Sequence, residues 1–208
     1  NYQSFVLLAF YFLFYAQANA QDAPIRNLIP YEKTRTGIVH DFVVVNESIY
    51  AAAENGLFRF SNGRSELIPL PITTSQGGIL SSVTVGADET LWLAVYGIGI
   101  FVVDTRTHKV TPFNHFTDKL KTSWDIEFCN DKIFINTINN VVALDASHSY
   151  AIEFLYQNNS EQPIRSLQCS GEILAFYVAD EVVLAQTDNV EVSRRLSLAE
   201  VFPQLKEI

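Results

Sequence analysis

The chain has 208 residues, 48% of them hydrophobic and 18% charged, and its 14 Lys and Arg against 23 Asp and Glu leave a net charge of −9. That hydrophobic share excludes a disordered tail. The acidic balance, with no basic run, excludes a nucleic-acid surface, which needs clustered cations on one face.

Residues 1–20 carry no charge, and Phe5 to Tyr15 is an unbroken apolar run of eleven, FVLLAFYFLFY. A spanning helix needs about 20 apolar residues, whereas a secretory core needs about 7 to 15 followed by a small-x-small site. Ala18-Asn19-Ala20 supplies that site. No basic residue precedes the run and the chain contains no Met, so the segment reads as a signal peptide with a truncated start; an uncleaved N-terminal anchor is the alternative. Both readings put the remainder outside the cytoplasm, and the expected location is the periplasmic side of the inner membrane.

A leader, 21–37, enters a repeat. The apolar triplets Ile49-Tyr50-Ala51, Leu91-Trp92-Leu93, Ile133-Phe134-Ile135 and Ile173-Leu174-Ala175 recur at spacings of 42, 42 and 40. Each is preceded by a β-rich run (Asp41 to Val45, Val83 to Gly86, Asp125 to Cys129, Arg165 to Cys169) and followed by two more. Four short strands per unit of about 40 residues predict the four-stranded antiparallel blade of a β-propeller. The expected blades are 38–70, 81–113, 123–156 and 164–196, with residues 204–208 starting another, so the all-β chain reads as a fragment of a larger propeller. The stretch Leu91-Trp92-Leu93-Ala94-Val95 lacks alternation, as a strand buried on both faces does; a β-sandwich is the competing architecture. Helix is expected only as a hint at 198–205, which Pro203 interrupts.

Gly78-Ile79-Leu80-Ser81-Ser82-Val83-Thr84-Val85, then Asp88-Glu89-Thr90-Leu91-Trp92-Leu93 and Gly99-Ile100-Phe101-Val102-Val103-Asp104, resembles the two-component regulator propeller repeat. Glu54-Asn55-Gly56-Leu57-Phe58-Arg59-Phe60 is similar to the second half of the same repeat, while the third and fourth units carry Asn140 and Glu181 where the glycine stands. The resemblance implies that this chain is a periplasmic sensor region, with a transmembrane helix and a cytoplasmic histidine kinase or diguanylate cyclase output expected downstream of it. It also implies a small-molecule or glycan ligand. For this chain it implies no enzyme activity and no cofactor.

Counting nine residues back from each triplet places His40, Ser82, Trp124 and Ile164, and next to them Asp41, Val83, Asp125 and Arg165, at one rim of the central channel. An imidazole, an indole, two carboxylates and a guanidinium there suit recognition by stacking and hydrogen bonding. Loops between second and third strands bring Tyr96 and Asn139 to the same rim. The candidate ligand-binding set is therefore His40, Asp41, Tyr96, Trp124, Asp125, Asn139 and Arg165; capping of strand ends is the bland reading of the same residues. The inter-blade loop Asn114 to Ser123 adds His115.

The histidines 40, 108, 115 and 148 form no metal-ligand spacing, and no G-x-S-x-G elbow occurs. Val142-Ala143-Leu144-Asp145 is similar to strand ends of quinoprotein propellers, which makes a periplasmic enzyme one alternative; an interaction scaffold is the other. Cys129 and Cys169 lie 40 apart, about one repeat, so they are expected at equivalent positions on diverging blades and free of each other. The sequons at Asn46 and Asn158 acquire meaning only in a eukaryotic secretory pathway. The expected partners are a small ligand, a membrane reached through a downstream segment and, compatibly, a second copy of the chain.

Overall fold

The computed structural model describes residues 36–72, 77–113, 117–145, 152–158, 162–197 and 200. The expected signal peptide, most of the leader, His115 and the expected further blade at 204–208 lie outside these residues.

Sixteen strands form four sheets of four, each antiparallel and in chain order. Blade 1 holds β1 (Val39–Val45), β2 (Ser48–Ala53), β3 (Gly56–Ser61) and β4 (Arg64–Ile68). Blade 2 holds β5 (Ile79–Val85), β6 (Leu91–Tyr96), β7 (Gly99–Val103) and β8 (Val110–Pro112). Blade 3 holds β9 (Asp125–Cys129), β10 (Lys132–Asn136), β11 (Asn140–Asp145) and β12 (Ile152–Gln157). Blade 4 holds β13 (Ile164–Ser170), β14 (Ile173–Val178), β15 (Glu181–Gln186) and β16 (Glu191–Ser197). The first strands of successive blades lie side by side, β1 by β5, β5 by β9 and β9 by β13, and form the inner wall. Among the described residues no helix is long and apolar enough to cross a membrane.

The tight hairpins follow from local chemistry. Asn46-Glu47 and Asn62-Gly63 place both central residues at positive φ, as does Asn130-Asp131. Such turns match the right-handed twist of the strands they join, and Asn, Asp and Gly tolerate that region best.

Three apolar clusters coincide with the three interfaces between successive blades. Tyr50, Ala52, Leu57 and Ile68 of blade 1 meet Leu91, Leu93, Val95 and Phe101 of blade 2. Trp92, Ala94 and Ile100, from the other face of blade 2, meet Ile126, Ile133, Ile135 and Leu144 of blade 3. Phe134, Val141 and Ala143 then meet Leu167, Leu174, Phe176 and Val183 of blade 4. Successive side chains of a strand point to opposite faces. In β6 the odd-numbered residues therefore face blade 1 and the even-numbered ones blade 3, which is why its apolar run needs no polar alternation.

A four-residue helical turn, α1 (Thr117–Leu120), stands in the blade 2 to blade 3 connection, where no helix is expected from the sequence. Leu120 holds it down: its side chain is buried with Trp92, Phe113 and Ile126. The Leu120 carbonyl accepts a hydrogen bond from the Ser123 hydroxyl at 2.6 Å.

The cysteines require a correction. Cys129 and Cys169 form a disulfide with Cα atoms 6.0 Å apart, and among the described residues no cysteine is free. Blades diverge only at their outer strands; β9 and β13 are inner strands and converge. The spacing of 40 is not equivalence either, because Cys129 is the last residue of β9, opposite Lys132, whereas Cys169 stands one residue before the end of β13, opposite Leu174.

Phe134 is fully buried between blades 3 and 4. Phe134→Ala is expected to cost about 3–5 kcal/mol in urea unfolding, against a few tenths of a kcal/mol for the half-exposed Leu67→Ala. The disulfide closes a sequence separation of 40, worth about 4 kcal/mol by loop-closure entropy. Thiol titration of the denatured, unreduced protein should find no cysteine, and dithiothreitol should lower the urea midpoint.

Candidate functional site

The inner strands line a half-open cavity of about 990 Å³. Six of the seven candidate residues line it: His40, Asp41, Tyr96, Trp124, Asp125 and Arg165. Asn139 does not. Its backbone is spent on the loop, its N–H donating to the Thr137 carbonyl and its carbonyl accepting from the Asn158 N–H, and the neighbouring Ile138, at φ 65°, faces the cavity instead.

Strand register sets the levels of the channel. Asp41, Ser82, Asp125 and Leu167 lie opposite Ala52, Ala94, Asn136 and Phe176, each three residues past the start of its triplet. The residues just before them, His40, Ser81, Trp124 and Ser166, stand at the mouth. This differs from the ring reached by counting back nine, in which Ser82 and Ile164 joined His40 and Trp124. Turn length and triplet position are the reasons: five residues join β5 to β6 against two in the other blades, and the triplet begins at the first residue of β14 but at the second of β2 and β10. Bulges at His40, Ser81 and Ser166 add one residue each on β1, β5 and β13. A bulge re-aims side chains. Two residues further along their strands, Val43, Thr84 and Glu127 line a deeper level, and Gln168 lines the cavity from β13, while Cys169 packs into the cluster between blades 3 and 4.

An inner strand has one edge without a ladder partner, so its N–H groups there need other acceptors. Side chains of the preceding blade supply them. Asp41 Oδ2 accepts from the Val83 N–H at 2.9 Å and Asp125 Oδ2 from the Leu167 N–H at 2.7 Å. Thr84 Oγ1 accepts from the Phe128 N–H at 3.1 Å, and Glu127 Oε1 from the Cys169 N–H at 3.4 Å. The buried Asn136 amide donates to the Ile164 carbonyl at 2.7 Å, fixing where β13 begins.

Ser82 ties three blades together. Its hydroxyl lies 2.8 Å from Asp41 Oδ2 and 2.9 Å from Asp125 Oδ1. One hydroxyl proton serves one carboxylate at a time, so both contacts are hydrogen bonds only when a carboxyl is itself protonated and donates back. Burial raises Asp41, opposed by its bonds from Val83, Ser82 and Phe42. Burial likewise raises Asp125 against bonds from Leu167 and Ser82, with the Asp41 charge adding to the rise. Glu127 is pushed up to about 7, first by burial and then by the charges of Asp125 and Asp41, against its one bond from Cys169.

At the mouth Tyr96 and Trp124 meet edge to face, ring centroids 5.4 Å apart at 75°. The Gly97 N–H donates to the Lys121 carbonyl at 2.7 Å, and the Trp124 N–H to the Asn136 carbonyl at 2.8 Å, so loop and strand hold the two rings together. Trp124 remains 44% exposed. A large indole left open at a cavity mouth is available for stacking. No group of three or more His, Cys, Asp or Glu able to hold a metal occurs among the described residues.

Ser82, Thr84 and Glu127 stand outside the candidate set. Glu127 had a signal in the sequence, because Asp125-Ile126-Glu127 puts two carboxylates on one face of an inner strand.

The raised Glu127 sets a sign. Its ordinary value is 4.5 and its folded value about 7, so folding loses stability as pH rises through that window. Glu127→Gln should match the native protein in urea unfolding at pH 4 and exceed it at pH 8, with the difference developing between about 4.5 and 7. A constant difference across that range would remove the titration from Glu127.

No protein-family model matches the chain, and no curated protein matches it. Solved structures do. The extracellular domain of BT4673 from B. thetaiotaomicron, assigned in one structure to a hybrid two-component system and in another to a one-component system, superposes with a TM-score of 0.56 in both. In the first, identity is 11% over 75% of this chain and 23% of that one. A catalytically inactive virginiamycin B lyase from Staphylococcus aureus, solved with quinupristin, gives 0.61 at 17% identity over 76% of this chain and 54% of that one. The WD40 domain of Neurospora crassa Pan2 gives 0.59 at 12% identity over 76% and 52%. The chain thus spans less than a quarter of the BT4673 structure. What these proteins share with it is the fold, and the described residues form four consecutive blades of a β-propeller.

Proposed function

We propose that this chain is a sensor-like, exported propeller region that binds a small ligand at the channel mouth and performs no chemistry of its own. The observation that carries the reading is the cavity of about 990 Å³ at the inner strands, with the exposed Trp124 beside Tyr96 at its mouth. A concave space with an aromatic wall and a few placed polar groups is the general form of a small-molecule site. The structural likeness to the BT4673 extracellular domain supports a sensory role, and the Cys129–Cys169 disulfide supports an oxidising compartment. In the full protein the region would stand on the periplasmic side, ahead of a membrane segment and a kinase or cyclase output. Fold alone does not choose among these roles, since the same architecture carries a lyase.

Thermal unfolding of the chain against a broad panel of metabolites and saccharides tests the reading. A ligand at a hundredfold its Kd should add about 2.7 kcal/mol of stability. Trp124→Ala, Tyr96→Ala and His40→Ala should each reduce that gain. The absence of any shift across the panel would count against binding at this mouth.

A further inference from the structure

Down the channel, one carboxylate is left with bonding capacity to spare. The oxygens of Asp41 take the N–H groups of Phe42 and Val83 and the Ser82 hydroxyl. Those of Asp125 take the N–H groups of Ile126 and Leu167 and the same hydroxyl. Glu127 takes only the 3.4 Å bond at Oε1, and Oε2 meets no donor among the described residues. The rest of its level is Val43 and Thr84, whose oxygen is used by the Phe128 N–H; Gln168 of β13 also lines the cavity and gives Glu127 no hydrogen bond. No cation faces it there: Asp41 on β1 and Asp125 on β9 both repel it, and Arg165 and His40 stand nearer the mouth.

Resting on the ligand-binding reading above, we infer that the channel takes a ligand carrying a protonated nitrogen, seated on Glu127, with its apolar part against Trp124. Trp124 stands one residue before β9 and three before Glu127, about 10 Å at strand rise, a span that a small aromatic amine largely covers. A cation at Oε2 relieves the mutual repulsion of three carboxylates, whereas an anion adds to it and a neutral group gains only a hydrogen bond. The exposed indole also attracts a cation in transit. Glu127 is about half protonated near pH 7, so seating a cation there expels a proton.

The test uses three isosteric probes on the full chain at pH 7: 2-phenylethylammonium, 3-phenylpropionate and 2-phenylethanol. Binding is read by tryptophan fluorescence, in which Trp124 responds and the buried Trp92 is the silent reference, and by calorimetry in phosphate and in Tris. The ammonium should bind at least tenfold tighter than the other two, with a buffer-dependent heat reporting proton release. Glu127→Gln keeps an acceptor for the Cys169 N–H; it should weaken the ammonium at least tenfold and abolish the buffer dependence. Equal or tighter binding of the anion or the alcohol, or an unaffected Glu127→Gln protein, overturns the choice of cation while leaving ligand binding intact. Failure of all three probes also overturns it, and the broader panel then decides whether the mouth binds anything.

Discussion

The two middle sheets of this structure, blades 2 and 3, are apolar on both faces, and a two-faced apolar sheet cannot stand alone in water. Leu91, Leu93 and Val95 need blade 1, while Trp92 and Ala94 need blade 3. Stacking in one direction follows, and with it a common axis at which the first strands gather. The cavity is a by-product of that packing, because flat-sided sheets that stack on their faces leave their inner edges pointing at one another. Those edges carry unpaired N–H groups, so acceptors at the axis are a structural demand before they are a functional one. Asp41, Asp125 and Thr84 meet the demand.

The same requirement explains why acidic side chains sit in the channel of a protein that gains nothing from burying charge in general. A buried carboxylate is costly unless it is bonded. Asp41 and Asp125 are bonded fully enough to be tolerated, and they share Ser82 between them. Glu127 is bonded once, weakly, and its raised proton affinity measures the shortfall. A group that only sealed the edge of β13 could have been a threonine, as Thr84 is on β5.

Much of the architecture was legible because it depends on periodicity. The four triplets fall in β2, β6, β10 and β14, and the unalternated run of β6 is explained by its two apolar neighbours. The lining of the cavity was legible at coarser grain. His40, Asp41, Trp124, Asp125 and Arg165 came to the cavity because an inner strand brings whatever it carries there. Their levels were not legible, since one long turn and the differing start of the triplet within its strand shift the count, and bulges at His40, Ser81 and Ser166 re-aim the residues beyond it. Asn139 and Ile138 exchanged places for a related reason: a single positive φ decides which of two loop residues turns inward. The cysteine pair was misread through the same assumption, that equal spacing means equal position. Nor did α1 announce itself, because what fixes it is one leucine entering a cluster made by distant strands.

The disulfide has a topological consequence. It joins the end of β9 to the end of β13, so β10, β11 and β12 hang within a covalent ring that runs from Cys129 to Cys169. A single backbone cut anywhere between those residues opens the ring without separating the chain, leaving two pieces tied at the axis where the blades already touch. A protease that reached this blade would therefore nick the protein rather than divide it, and the wall bearing Asp125 and Glu127 would stay anchored to the blade beside it.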